Sequence, residues 1–304
     1  MDETDAKPPR TIPPGLHLVA TPIGHARDIT LRALDVLRGA DLVAAEDTRR
    51  IRRLMTIHGI ARAGREIVAY HDHNAGRAGP RLLAALAEGR SVAYASDAGT
   101  PLVADPGLRL VREAIAAGHP VHAVPGPVAA IAALTVAGLP TDRFLFAGFL
   151  PARSAARRTA LAELAAVPAT LIFHESPHRI GEALRDMAAV LGAARPAVLA
   201  RELTKRHEEV LRGDLGVLVE QVAARGGEGR PLKGEMVVLV GPPMAGRVDE
   251  TAIEQALAAA LSSMSLKDSA RFVADTLKLP RKRIYQKALE MRRRQGEGTD
   301  DGNE

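Results

Sequence analysis

From residue 16 to residue 240 the chain repeats one unit: a short apolar run, a loop rich in Gly, Pro or polar side chains, then an amphipathic helical pattern that ends near Gly. Strands that are apolar along their whole length and separated by helices belong in mostly parallel sheets covered on both faces. The spacing predicts strands over 16–20, 42–45, 67–70, 92–95, 121–124, 144–149, 170–174, 197–200 and 236–240. Helices are expected over 30–38, 80–88, 108–117 and 178–191 among others, the first capped by Thr30 and ended at Gly39. That is many strands for one open sheet, and Pro125-Gly126-Pro127 offers a break. The expectation is therefore an α/β protein of two domains, 14–125 and 126–243, with mostly parallel sheets and a cleft between them. Ligands of such sheets bind beyond the carboxyl ends of the strands.

After Gly241-Pro242-Pro243 the pattern becomes purely helical, over 250–261, 265–277 and 281–293, which predicts a small helix-turn-helix-like module over 249–294. Residues 1–13 and 295–304 have no periodic apolar pattern and are expected to be disordered tails. No apolar run approaches the roughly 18 residues of a membrane span, and the first residues do not read as a signal peptide, so a cytoplasmic protein without membrane contact is expected.

The 304 residues include no Cys, which removes disulfides, thiolate nucleophiles and thiolate-bound zinc. Aromatics are only 3% with no Trp, too few for a base-stacking platform, so any contact with nucleic acid must rest on Arg and Lys. The formal charge of +5 is a small excess for a chain of this length.

Four predicted strands end in polar clusters: Glu46-Asp47-Thr48-Arg49, His71-Asp72-His73-Asn74, Ser96-Asp97-Ala98-Gly99-Thr100-Pro101 and Glu175-Ser176-Pro177-His178-Arg179. Their shared position at strand exits points to one site on one side of a sheet, although Thr48, Ser96 and Ser176 are also placed to cap helices. The run SDAGTPLVADPG is the richest, since its Gly and Pro residues set a rigid backbone that a small polar cofactor can approach closely. It matches neither the phosphate-loop nor the dinucleotide-binding pattern. His71 and His73 have no third ligand in the pattern, so hydrogen bonding or proton transfer is expected of them and no metal site. Arg49, Arg50, Arg52 and Arg53 at one helix start suit an anionic substrate, and Lys278, Arg281, Lys282, Arg283, Lys287, Arg292, Arg293 and Arg294 suit phosphates or a solvated face.

Read in order, VATPIG, AEDTR, HDHN, SDAGTPLVADPG, VPGP, GLPTDRFLFAGFLP, IFHESPHR, LARELTKRHEE and KGEMVVLV resemble the bacterial 16S rRNA 2′-O-ribose methyltransferases of the tetrapyrrole-methylase-like superfamily. The likeness is nearly continuous from residue 16 to residue 240, and 265–289 resembles that family's helical C-terminal region. It implies S-adenosylmethionine as donor, a homodimer, and the ribose of cytidine 1402 in 16S rRNA or the small ribosomal subunit as acceptor. Carried over by motif, the donor meets Pro22, Gly24, Ser96, Asp97, Gly99, Thr100, Pro101 and Ala104, with Phe173, Thr204 and Gly234 from the second domain. The chain departs from the family at His25-Ala26, where Asn-Leu is usual, and at His174, where Tyr is common.

Methyl transfer to a hydroxyl requires in-line alignment, exclusion of water and a group to take the proton. The expected candidates for that group are Asp47, His71, Asp72 and Glu175, with Arg49, His178, Arg179 and Lys205 on the substrate. A small-molecule tetrapyrrole methyltransferase and a regulator using only its helix-turn-helix-like tail are the competing readings.

Overall fold

The computed structural model describes residues 11–61, 64–226, 232–243, 250–277 and 279–297. Most of both expected tails and Lys278 lie outside the described residues, as does the side chain of Arg294. The chain divides into two compact units, 1–242 and 243–304.

In the first unit, strands β1 (Gly15–Val19), β2 (Leu42–Ala45), β3 (Ile67–Ala69), β4 (Ser91–Ala95) and β5 (Val121–Val124) form a fully parallel sheet in the order β3-β2-β4-β1-β5. Helices α1 (Leu31–Gly39) and α2 (Thr48–Ile57) carry the chain outward to β3, and α3 (Ala75–Ala87) and α4 (Leu108–Ala116) bring it back through β4 to β5. Right-handed crossovers in opposite directions put the helices on opposite faces. Val36, Leu37, Ile51 and Met55 accordingly pack on Val19 and Val43, and Leu82, Ala85 and Leu110 on Leu16, Val68 and Tyr94. Each fully buried leucine here stabilises the fold by roughly 1.5–3 kcal/mol. Neighbouring β1 and β4 send their exits to opposite faces, and the crevice that opens at their carboxyl ends is a topological switch point.

Strands β6 (Phe144–Phe149), β7 (Thr170–Glu175), β8 (Pro196–Arg201), β9 (Glu209–Asp214) and β10 (Met236–Val240) form the second sheet in the order β6-β7-β10-β8-β9. Here β6 and β7 run parallel and the other three pairs antiparallel, so the expected parallel pairing describes the first sheet but not most of the second. The physical reason is the connection over 202–208, too short for the helical crossover that a parallel β8–β9 pair demands. Strand β9 was not legible as a strand: Glu209, Arg212 and Asp214 break up its apolar character, as suits an edge. Helix α5 (Ala129–Ala137) covers one face of this sheet, against Ile172, Val198 and Val237. Helices α6 (Ser154–Leu164), α7 (Ile180–Leu191) and α8 (Leu215–Gly226) cover the other, against Leu171, Leu199 and Val238. Ile23, from the exit of β1, packs in the α5 cluster and ties the first sheet's loop to the second sheet.

Thr30 caps α1 as expected, its Oγ1 accepting from the Ala33 N–H at 3.1 Å. Two local readings shift. Pro80 lies inside α3 rather than at its start, costing that helix one hydrogen bond, and Ile12 of the expected tail packs in the α1 cluster.

The second unit consists of α9 (Glu250–Leu261), α10 (Leu266–Leu277) and α11 (Arg281–Glu297), packed through Leu257, Val273, Ile284 and Ala288. Ser265 caps α10: its Oγ accepts from the Asp268 N–H at 3.2 Å and donates to the Asp268 carboxylate at 2.6 Å. No described helix in the chain is long and apolar enough to cross a membrane.

Candidate functional site

The loops leaving β1, β2 and β4 are knitted together at the switch point. Thr21 and Gly99 exchange both backbone hydrogen bonds at 2.9 Å, forming a two-residue antiparallel bridge between the β1 and β4 exits. Ser96 Oγ donates to the Gly99 carbonyl at 2.5 Å, Thr21 Oγ1 to the Ser96 carbonyl at 3.0 Å and Thr100 Oγ1 to the Pro127 carbonyl at 3.0 Å. These hydroxyls therefore hold the loop in shape. The Asp97 carboxylate accepts from the Asp47 N–H at 2.8 Å and lies 3.6 Å from Arg50, which joins the β2 exit to the same knot.

Facing this knot, the second sheet contributes the segment 202–205 and the residues preceding β10. Gly24 is required by close approach: a Cβ there would stand 2.5 Å from Thr204 Oγ1 and 2.6 Å from Lys205 Cγ. Thr204 Oγ1 in turn accepts from the His25 N–H at 3.0 Å. Gly234, at φ +100°, is required twice over, because a Cβ would also collide with the Glu202 side chain. Among the described residues, non-glycine positions with positive φ are confined to these two facing loops: Leu102 and Ala104 in one, Glu202 and Thr204 in the other. Such strain persists only where the surroundings impose it, and it gathers at functional sites.

Between the loops lies a cavity of about 400 Å³, bounded by Asp97, Gly99, Thr100, Ala104 and Asp105 on one side and by His174, Glu175, Gly234, Met236 and Val237 on the other. A second hollow of about 450 Å³, bounded by Pro22, Gly24, Arg53, Ser96 and Lys205, adjoins it and shares Ile23, Arg50, Asp97, Ala98 and Glu235. Both volumes suit a nucleoside-sized ligand.

The cavity is acidic. Burial, with Glu46, Asp97 and Glu235 nearby, pushes the Asp105 carboxyl up to about 7, and burial beside Asp97 raises Glu46. Oδ2 of Asp105 and Oε2 of Glu175 are buried and have no hydrogen-bond partner among the described residues. Glu175 Oε1 accepts from Arg179 at 2.7 and 2.9 Å and from the Ser176 N–H at 2.7 Å. His174 packs edge-on to Phe146 and tilted against Phe149, and burial lowers its pKa.

The structure distributes the expected residues unevenly. Asp97, Gly99, Thr100, Ala104, Glu175 and Gly234 bound the cavity; Pro22, Gly24, Ser96 and Lys205 bound the adjoining hollow; Pro101 is buried within the loop. Phe173 is fully buried in the core over α6–α8, its side chain away from the cavity wall. Asp47 caps α2 and binds Arg49 at 3.1 Å, and those contacts hold its carboxyl below the usual range. Arg49 itself is 86% exposed, and His178 is exposed. Arg179 is engaged with Glu175, and Lys205 with Glu202 at 2.9 Å and Glu235 at 3.0 Å.

His71 and His73 meet edge to face with ring centroids 6.0 Å apart, in a turn closed by Asn74 Oδ1 accepting from the His71 N–H at 2.9 Å. Among the described residues no group of three or more His, Asp or Glu is arranged to hold a metal ion. Asp72 and Asp105 share a third hollow with Arg109 and Arg112. Asp105 was missed in the sequence. The only signal for it was its place inside SDAGTPLVADPG, and nothing in the string shows that its carboxyl is buried.

In the helical unit, Arg281 pairs with Asp275 at 3.1 Å and Lys287 with Glu254 at 2.8 Å, whereas Arg292 and Arg293 are exposed.

Residues 15–219 match the family described as tetrapyrrole (corrin/porphyrin) methylases, and residues 247–292 match a family described as the RsmI C-terminal HTH domain. A curated protein of Mesorhizobium japonicum, Ribosomal RNA small subunit methyltransferase I, is 50% identical over 96% of this chain and 97% of its own length. Its namesake from Xylella fastidiosa is 45% identical over 90% of this chain and 98% of its own. Among solved structures, uroporphyrin-III-C-methyltransferase from Thermus thermophilus superposes with a TM-score of 0.52 at 25% identity, covering 74% of this chain and 93% of that one.

Proposed function

The chain belongs to the tetrapyrrole methylase family, and from that membership we propose that it transfers a methyl group from S-adenosylmethionine to the 2′-oxygen of a ribose in 16S rRNA, cytidine 1402 being the position implied by the resemblance. The observation that carries this reading is the acidic cavity: a donor bearing sulfonium and ammonium charges is complementary to Asp97, Glu175 and Glu235, and Glu175 Oε2 is buried there without a hydrogen-bond partner among the described residues. Gly99, Thr100, Ala104 and Gly234 would hold the donor, Pro22 and Gly24 would border it, and Ser96, Pro101, Phe173 and Thr204 would act through the backbone they fix. When bound, the donor supplies an electrophilic methyl group that needs no metal.

The chain's own residues then have three tasks. The buried apolar lining of Ile23, Leu203 and Val237 lowers the local dielectric, strengthening the charge interactions inside. The Thr21–Gly99 bridge and the strained loops fix the donor's position, which is where much of the rate in such displacements arises. The third task is to receive the acceptor's proton; of the candidates read from the sequence, Asp47, His71, Asp72 and Glu175, it is Glu175 that borders the cavity itself. Arg49 and His178, both exposed, would meet phosphates directly, while Arg179 and Lys205 act through the carboxylates that hold them.

The acceptor assignment rests on the name its relatives carry, and the match of the helical unit to the RsmI C-terminal HTH domain supports it. A regulator acting through that unit alone leaves the strained cavity without a role. Removing residues 249–304 separates these readings: binding of S-adenosylmethionine persists and affinity for the small subunit falls. The resemblance also supports a cytoplasmic homodimer, which sedimentation of the purified chain tests.

The decisive assay for the reaction is incubation with labelled S-adenosylmethionine and small subunits lacking the modification, followed by mapping of the label. Label on one ribose 2′-oxygen is expected. Label on a base, on protein or nowhere contradicts the proposal.

A further inference from the structure

Asp105 stands where two hollows meet. It bounds the donor cavity, and it also bounds the open groove formed with Asp72, Arg109 and Arg112 on the β3 exit and α4. Its Oδ2 is buried and without a partner among the described residues, and its backbone is pinned on both sides. Ala104 before it is held at φ +59°, and the Tyr94 hydroxyl donates to the Pro106 carbonyl after it at 2.9 Å. Of the carboxylates weighed from the sequence, Asp47 is engaged with its helix cap and Arg49, Glu175 is held through Oε1 by Arg179, and Asp72 borders the groove but not the donor cavity.

Deepening the reading above and resting on it, we propose that Asp105 is the catalytic residue that takes the proton of the ribose hydroxyl, with the Arg109 and Arg112 groove admitting the RNA backbone beside the target. In the step, the O–H bond breaks and its proton passes to Oδ2 as the O–CH3 bond forms. The electron pair of the S–CH3 bond stays on sulfur, so a sulfonium and a carboxylate become a thioether and a carboxylic acid.

The electrostatic setting suits that task. Burial, with Glu46, Asp97 and Glu235, brings the Asp105 carboxyl to about 7, near the working pH at which a general base is most effective. The charged and titratable groups around it are Glu46 and Arg50 on the β2 exit and α2, Asp72 on the β3 exit, Tyr94 and Asp97 on β4 and its exit, His174 and Glu175 on β7, Glu235 before β10, and Arg109, Arg112 and Glu113 on α4, where Arg109 is paired with Glu113 at 2.8 Å. Of these the nearest acidic groups favour the protonated form. A cationic donor in the cavity favours the charged form, so donor binding arms the base and expels a proton.

Calorimetry of S-adenosylmethionine binding to the full chain, in buffers of different ionisation heat, reads that proton. Wild type releases a fraction of a proton near pH 7 and progressively less at higher pH. Asp105→Asn, nearly isosteric, releases none while its donor affinity stays within about threefold. With small subunits lacking the modification, the single-turnover rate of Asp105→Asn falls by about 10²–10⁴-fold and loses the rise with pH through about 7 that wild type shows. Asp105→Glu recovers part of both.

Wild-type turnover, or an unchanged pH limb, in Asp105→Asn overturns the proposal. So does a variant that loses donor affinity but turns over normally at saturation, since Asp105 would then hold the donor. If Asp105→Asn does not fold, the wild-type proton release and the Asp105→Glu pH profile decide alone. Wild type that binds the donor yet labels no ribose overturns the functional reading and this proposal together, an outcome distinct from a failure of Asp105 alone.

Discussion

The two sheets meet the same cavity in different ways. The first is fully parallel, so β1, β2, β3 and β4 all deliver their carboxyl ends to one side, and charged or polar clusters collect there. The second is mostly antiparallel, so its strand ends alternate, and it reaches the cavity through the end of β7, the start of β10 and the strained segment 202–205. The first sheet's exits carry Arg50, Asp97 and Asp105, whereas the second, besides Glu175 and Glu235, supplies the clamp, where Gly234 leaves no room for an added atom. Residues of the second should therefore be less forgiving of changes in volume, and those of the first less forgiving of changes in charge.

The largest expected effect is steric. Gly234→Val puts a branched side chain into Glu202 at a positive φ, combining backbone strain with overpacking worth about 3 kcal/mol in total. Donor affinity by calorimetry should fall by about 100-fold, and a variant that binds normally would show that the clamp does not shape the cavity. Next is Arg179→Ala, which strands Glu175, whose side chain is 1% exposed, without its partner. Because Arg179 is itself partly exposed, the cost should be about 2 kcal/mol, a drop of about 4–8 °C in Tm. An unchanged melting curve would mean that Glu175 is satisfied by other means.

A comparable effect with a pH signature is expected from the first sheet. Asp105 keeps its proton up to about 7 in the folded chain, whereas the unfolded chain releases it near 4. The folded state thus binds more protons across that window, and stability declines as pH rises through it, then levels off. Asp105→Asn lacks the decline, so above about pH 7 it should exceed wild type by about 2 kcal/mol after allowance for water access, in urea melts across pH. Parallel curves for the two proteins would contradict the burial of that charge. The smallest effect should come from Arg49→Ala. Its pair with Asp47 is exposed, so the melting curve should be unchanged, while any loss of affinity for the small subunit would report a phosphate contact.

Most of the fold was legible because period and punctuation are local properties. Every strand expected from an unbroken apolar run exists to within about a residue, and Thr30 caps the helix that follows it. Strand β9 was not, because an edge strand can carry Glu209, Arg212 and Asp214 without penalty. Its antiparallel pairing with β8 depends on a short connection whose meaning appears only once both strands are known. At the cavity, the loops after β4 and β7 supply lining residues whereas His71-Asp72-His73-Asn74 does not, and spacing does not report who is bound to whom. Asp47 and Arg49 satisfy one another, Ser96 and Thr100 spend their hydroxyls on the loop, and Phe173 faces the core. Asp105 could be singled out only from burial and an unpartnered oxygen, which are properties of the folded chain.

The most direct test of the central claim is a crystal structure of the full chain with S-adenosylhomocysteine, the product that remains after transfer. The ligand is expected in the cavity between Gly99 and Gly234, with its sulfur side open towards Asp105 and Glu175. Ligand seated instead among Pro22, Gly24 and Arg53, with that cavity left to solvent, would contradict it.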